Sequence, residues 1–372
     1  MDTLTTSLVR VWLGITCAAG TVSCLSAEVE PGDEHFMVTH EGASMPVWVT
    51  GNWRSNRILV HVHGGPGTTN AIYWQKESYQ RIAEQWGIAY YEQRASGNAL
   101  GNRRDGRINV AQYIEDLHVV MDVLEYKYPD AEFVIMGHSW GGFLVPAFLL
   151  KGGQERVVGF IEMNGAHNAS CESWNYGRDA VLQRAQQELD DSPNRRERKL
   201  WNDAIDFYAD VWKCDPVTNE NNQIEIWKGQ MIHFWHSTFI READGYDVDP
   251  ERVLNGAETA ELVLESQWDM LAVNAHSPLP MEDYYGVDLT PRFSEIEIPT
   301  LILWGVHDLI TPFFNAELAF DALGTPAEDR FYVAFEDSGH NPWAEEPEKF
   351  YDAMASFLEH VWPPAPDEFV AQ

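Results

Sequence analysis

The sequence predicts an α/β protein: a mostly parallel central sheet flanked by helices, with a helical cap inserted before the last two strands. Three observations predict it. Short, near-continuous apolar runs bounded by glycine or charge recur along the chain, as strands buried on both faces do. Segments of helical spacing separate them, and strand–helix alternation implies right-handed crossovers between parallel strands. The alternation stops between Ala166 and Thr290 and resumes at "IEIPTLILWG", as it would around an insertion.

The strand candidates in order are Arg57–Gly64, Gly87–Gln93, Glu132–Gly137, Val157–Gly165, Pro299–Gly305 and Arg330–Phe335. Between the second and third lies Asn109–Tyr128, with Ile114, Leu117, Val120, Met121 and Leu124 on one helical stripe. Phe143–Leu150 follows the third run as a helix, and Glu346–Trp362 closes the chain with a second stripe. Residues 166–290 carry polar and aromatic helical patterns without a clear central strand, and their many Trp and Tyr suit the insertion's own core or a pocket lining. The organisation expected is therefore a leader at 1–27, a first core segment at 28–165, the cap at 166–290 and a second core segment at 291–372.

Residues 1–27 read as a secretory signal. Arg10 precedes the uncharged, small-residue stretch Val11–Ala27, which is shorter than the ~20 apolar residues of a membrane span. Cleavage after Ala27 would free a chain starting at Glu28. In the other ending, "TVSC" resembles a lipoprotein box and Cys24 becomes a lipid anchor. Either way the expected location is outside the cytoplasm. The 4 cysteines are too few for a disulfide scaffold; with Cys17 and Cys24 in the leader, Cys171 and Cys214 remain as one candidate bridge.

Acidic residues outnumber basic ones 58 to 25, for a formal net charge of −33. Such a surface repels phosphate backbones, so a nucleic-acid partner is not expected. It suits cationic ligands or a salty medium, where repulsion is screened.

Chemistry concentrates at Gly137-His138-Ser139-Trp140-Gly141. This is G-x-S-x-G between a strand and a helix, where a sharp turn lifts the serine to the carboxyl edge of the sheet. A serine hydroxyl needs a base. "LILWGVHD" places Asp308 just past one strand, and "FEDSGHNPW" places His340 after the last. In the order Ser139, Asp308, His340 the imidazole takes the serine proton and the carboxylate orients it. "HVHGGPG", His61–Gly67, follows the first buried strand and lets backbone approach a developing oxyanion. The Gly65 and Trp140 N–H groups are the expected donors. His63 and His138, beside glycine turns, are read as loop-holding histidines. His233 and His236 lack a third ligand nearby, so no metal site is expected.

On these residues the chain resembles an α/β-hydrolase, and within that fold the proline iminopeptidase branch. The family's HGGPG stands at His63–Gly67, its DQRG as Glu92-Gln93-Arg94-Ala95, its GGSWG as Gly137–Gly141, and its late Asp and Gly-His at Asp308 and Gly339-His340. The chain differs at Glu92, Ala95 and His138, where that pattern has Asp, Gly and Gly. The resemblance implies a serine peptidase that holds the free amine of its substrate with cap glutamates; Glu162, just before the cap, and Glu172, Glu225 and Glu265 within it are the candidates, none favoured over the others.

The expected function is a serine hydrolase cleaving a small amide or ester through an acyl-enzyme, without a cofactor. A small peptide or aminoacyl amide is the substrate expected of an aminopeptidase of the proline iminopeptidase type. A carboxylesterase with the same triad and a catalytically silent hydrolase-fold binding protein are the alternatives.

Overall fold

The computed structural model divides the chain into two units, Met1–Asp33 and Glu34–Gln372. The structure describes residues 33–74, 76–101, 107–191, a few positions from 195 to 206, 284, 286–308 and 310–363. The predicted leader and most of the predicted cap therefore lie outside the described residues.

The second unit is built on one eight-stranded sheet, ordered β1-β2-β4-β3-β5-β6-β7-β8. Its strands are β1 (Glu34–His40), β2 (Ala43–Gly51), β3 (Arg57–Val62), β4 (Gly87–Tyr91), β5 (Glu132–His138), β6 (Gly159–Met163), β7 (Thr300–Gly305) and β8 (Arg330–Phe335). All neighbours from β4 through β8 pair in parallel; β1–β2 and β2–β4 pair antiparallel.

The six expected strands are present, and β1 and β2 are additional. These two form a hairpin in which His40 pairs with Ala43 across Glu41 and Gly42, whose φ values of 41° and 78° are the positive ones a two-residue turn requires. β1 alternates buried or half-buried positions with exposed ones, so it has none of the continuous apolar character that marks the central strands.

Helices follow in chain order: α1 (Ala71–Trp74), α2 (Glu77–Gln85), α3 (Val110–Lys127), α4 (Gly141–Leu149), α5 (Cys171–Asp191), α6 (Phe314–Ala322), α7 (Pro342–Glu345) and α8 (Pro347–Val361). The Asn109 side chain caps α3 by accepting from the Gln112 N–H. Proline opens both α7 and α8, where its missing N–H costs nothing.

Alternate side chains on each strand enter opposite cores. Val60, Ile135, Phe160 and Ile302 pack with Leu117, Val120 and Leu124 of α3 and with Phe148 of α4. Leu59, Val134, Ile161 and Leu301 pack on the other face with Ile82 of α2 and with Phe350, Met354 and Phe357 of α8. The sheet is thus covered on both sides, and its carboxyl edge is left for loops.

The chain leaves the sheet at Met163 and rejoins it beside β6, where Thr300 pairs with Phe160. α5 is the first element of that excursion. Ala185 and Trp201 form a small core of their own there. At its far end Tyr284 packs edge-on against Trp140 and Phe143, with centroids 5.1 and 4.7 Å away.

Candidate active site

β5 ends at His138 and α4 begins at Gly141, so the chain reverses within two residues. Ser139 takes a φ of 57°, a left-handed conformation that costs an L-residue about 1–2 kcal/mol. The flanking glycines are required sterically. A Cβ on Gly137 would lie 2.2 Å from the Gly141 carbonyl oxygen, and one on Gly141 would lie 2.1 Å from that of Val62. The Ser139 N–H donates to the Met163 carbonyl at 3.1 Å, tying the turn to the end of β6. Ser139 remains partly exposed between buried His138 and Trp140.

Asp308 and His340 come from the loops after β7 and β8. His340 Nδ1 donates to Asp308 Oδ2 at 2.8 Å. The other carboxylate oxygen accepts the Ile310 and Thr311 N–H groups at 2.8 and 3.1 Å. The Thr311 hydroxyl and the Asn164 amide reach Oδ2 at 2.6 and 2.5 Å. Burial alone would push the Asp308 carboxyl up, but the His340 imidazole and these donors outweigh it and hold the group below its usual range. The result is a buried, charged acid solvated by protein donors, and its bond to Nδ1 leaves Nε2 as the acceptor nitrogen of His340.

The His138 side chain links the turn at Ser139 to the main chain of His340. His138 Nε2 donates to the His340 carbonyl at 2.8 Å, and the two rings lie 4.8 Å apart. No hydrogen bond joins Ser139 Oγ to His340 Nε2 among the described residues; bonds of this kind often shorten only in the substrate complex.

The HGGPG loop packs against the serine. A Cβ on Gly64 would meet Ser139 Cβ at 3.0 Å and Oγ at 3.4 Å. Gly65 has a φ of 123°, and a Cβ there would strike the Gly67 nitrogen at 2.6 Å. Trp140 starts the helical turn into α4, so its N–H belongs to the group that has no intrahelical acceptor. Its indole N–H donates to Gln93 Oε1 at 2.9 Å, which anchors the residue behind the elbow.

The remaining sequence candidates sort by position. His63 Nε2 accepts the Gln93 N–H at 3.1 Å while Nδ1 faces the Gly64 carbonyl at 2.7 Å, and burial pushes its pKa down to about 4. It holds the loop. Glu92 accepts from the Thr69 hydroxyl at 2.6 Å, and Arg94 forks onto Asp116 with two contacts of 2.8 Å. Ala95 has a φ of 58°, the conformation for which glycine is suited. Of the glutamates considered for amine binding, Glu162 is fully buried and bonded to His167 Nδ1 at 2.5 Å, which removes it from that role. Glu172 is exposed in the first turn of α5. Glu225, Glu265, His233 and His236 lie outside the described residues. No group of three metal-binding side chains occurs among the described residues. Cys171 is disulfide-bonded; Cys214, its expected partner, lies outside the described residues.

Asn164, Thr311 and Tyr73 had no place in the sequence-based expectations, and Gln93 figured there only as part of the Glu92–Ala95 motif. Asn164 had a local signal. It follows a strand, precedes Gly165, and adopts a φ of 45°, a region in which asparagine is enriched. Thr311 and Tyr73 are recognisable only from what they touch, as is the role of Gln93.

A family model described as "alpha/beta hydrolase fold" matches residues 57–347. The chain is 23% identical to a probable aminopeptidase, YbaC, of Bacillus subtilis (strain 168), over 82% of this chain and 90% of that protein. It is also 23% identical to a proline iminopeptidase of Clostridioides difficile (strain 630), over 82% of this chain and 91% of that one. A thermophilic esterase from Thermogutta terrifontis shares the fold with a TM-score of 0.55 at 17% identity, covering 88% of this chain and 99% of its own. Sheet order, elbow and family match lead to one conclusion: the chain belongs to the α/β-hydrolase fold family.

Proposed function

We propose that the chain is a serine hydrolase working through an acyl-enzyme, as an aminopeptidase of the proline iminopeptidase type. One observation carries the serine-hydrolase reading: Ser139 stands in a left-handed elbow whose His138 ring lies 4.8 Å from that of His340, and His340 donates at 2.8 Å to a buried, charged Asp308. In this reading His340 takes the Ser139 proton as Oγ attacks an amide carbonyl. The Gly65 and Trp140 N–H groups receive the oxyanion, which strengthens their bonds as charge develops. The imidazolium returns the proton to the departing amine, and water repeats the cycle on the acyl-enzyme. The peptidase assignment is supported by HGGPG, by Ser139-Trp140 and by the names of the two relatives.

A carboxylesterase is the second reading. It needs the same machinery without an amine-holding carboxylate, and the burial of Glu162 against His167 removes one of the four candidates for that carboxylate.

We further propose export, with the leader at 1–27 and the disulfide at Cys171 as support, since disulfides persist in oxidising compartments. N-terminal sequencing of the expressed protein distinguishes a start at Glu28 from a lipidated Cys24, and an uncleaved Met1 overturns the proposal.

Hydrolysis of prolyl-, alanyl- and leucyl-nitroanilide, beside a short nitrophenyl ester, tests the activity. Prolyl-amide turnover that Ser139→Ala abolishes is the expected result. Ester turnover alone retires the peptidase. Failure of a fluorophosphonate to label Ser139 would leave the silent binding protein.

A further inference from the structure

We propose that His138 is a positioning residue for His340: its Nε2–H holds the main-chain carbonyl of the base and so fixes where the catalytic imidazole stands. The inference rests on the serine-hydrolase reading of Ser139 and His340. A carbonyl can only accept, so the 2.8 Å contact from His138 to the His340 oxygen places the proton on Nε2. Nδ1 is then an acceptor, and the Tyr73 hydroxyl donates to it at 2.6 Å. Burial pushes the Tyr73 phenol above its ordinary range, so it stays a donor. Tyr73 is itself wedged between the rings of His61 and Trp343, at 4.3 and 5.1 Å. One tautomer of His138 is thus built in.

The loop that carries the base is gripped at consecutive carbonyls. Asn164, at the end of β6, donates to the Gly339 oxygen at 3.1 Å, and His138, at the end of β5, donates to that of His340. Side chains from the two strands beside Ser139 therefore set the peptide planes on both sides of the His340 Cα. A glycine at position 138, as in the family pattern this chain resembles, has no side chain to do this.

The titratable groups facing His138 are Tyr73 and His340, with His61 and His63 beyond them. Burial first, and the neighbouring His340 second, hold its pKa well below the ordinary range. His138 accordingly stays neutral while His340 becomes imidazolium, and places no like charge 4.8 Å from the developing cation.

His138→Gln keeps an N–H donor near the Nε2 position, whereas His138→Leu removes it. Tyr73→Phe removes the group that sets the tautomer. Each is compared with the wild type on the substrate that the wild type turns over, from about pH 5.5 to 9, with a thermal melt alongside. His138→Leu is expected to lose about 10- to 100-fold in kcat with KM little changed, and to move the acid limb of kcat/KM. His138→Gln should recover most of kcat and the wild-type limb, with Tyr73→Phe between them. A His138→Leu variant that melts lower but keeps kcat and the limb overturns the inference. So does a His138→Gln variant as slow as His138→Leu. If fluorophosphonate fails to label wild-type Ser139, the serine-hydrolase reading falls first and this one with it; labelling with unaltered variants sinks the inference alone.

Discussion

Asp308 accepts from five donors, and each of them matters because the carboxylate has no exposed face to solvate it. Replacing it with asparagine keeps the shape but puts an amide where His340 needs an acceptor, and the imidazole loses its tautomer. Asp308→Asn should lower kcat by about 10³–10⁴-fold while KM stays within a small factor, as steady-state kinetics on the nitroanilide or ester will show. Asn164→Ala acts one step further back. It takes a donor from Asp308 and leaves the Gly339 carbonyl buried without its partner, a loss of about 1–3 kcal/mol per group. A fall in kcat of about 10- to 100-fold is expected, with the melt lowered in parallel. An Asn164→Ala enzyme with wild-type kcat would mean that Thr311 and the two N–H groups suffice.

At the scale of elements, the elbow illustrates how a motif becomes geometry. Gly137 and Gly141 are small because each lies against a carbonyl of a neighbouring segment, closer than any Cβ is found. Gly137→Ala or Gly141→Ala should therefore lose at least about 1–3 kcal/mol in denaturant unfolding. Gly159→Ala is a gentler control, since its new methyl would meet only the side-chain ends of Phe357 and Val361, at 3.2 and 3.3 Å. Equal losses at all three sites would contradict the steric account. The central strands and the long helices were legible in the sequence because burial on both faces leaves apolar runs and a helix leaves a stripe. The β1–β2 hairpin was not: β1 alternates with exposed residues, and Ser44, Pro46 and Thr50 break the apolar run of the largely buried β2. α1 was equally hidden; four residues are too few for a stripe, and its Tyr73 matters through a contact 65 positions away.

For the whole molecule, buried histidines and surface carboxylates make opposite demands on pH. Burial pushes His61 down to about 3 and His63 to about 4, and holds His138 well below the ordinary range. Above the unfolded value of about 6.5 both states leave these rings neutral and no stability term arises. Below it the unfolded chain binds protons that the folded chain refuses, so stability falls with pH, by up to about 1.4 kcal/mol per unit for each ring. Carboxylates stay charged until roughly pH 4.5, so relief of the −33 charge comes later. Melting temperature should thus drop between pH 7 and about 5, and His63→Asn should flatten the slope. A rise over that range would show that charge repulsion dominates. The same acidic excess predicts a higher melting temperature in molar salt than in dilute buffer, and an unchanged one would remove any case for adaptation to a salty medium.

By itself the sequence determined the sheet's central strands, the departure from the sheet between β6 and β7, and the placing of Ser139, Asp308 and His340 just past strand ends. Each leaves a local trace: an apolar run, a break in alternation, a polar residue just past a strand. Only the tertiary structure decided which side chains serve those three. Asn164, Thr311, Tyr73 and His138 are set by contacts between residues distant in the chain, and burial decided that Glu162 faces His167. Hydrogen-bond partners and desolvation depend on where the ends of separate strands meet, and no residue's neighbours in sequence carry that information.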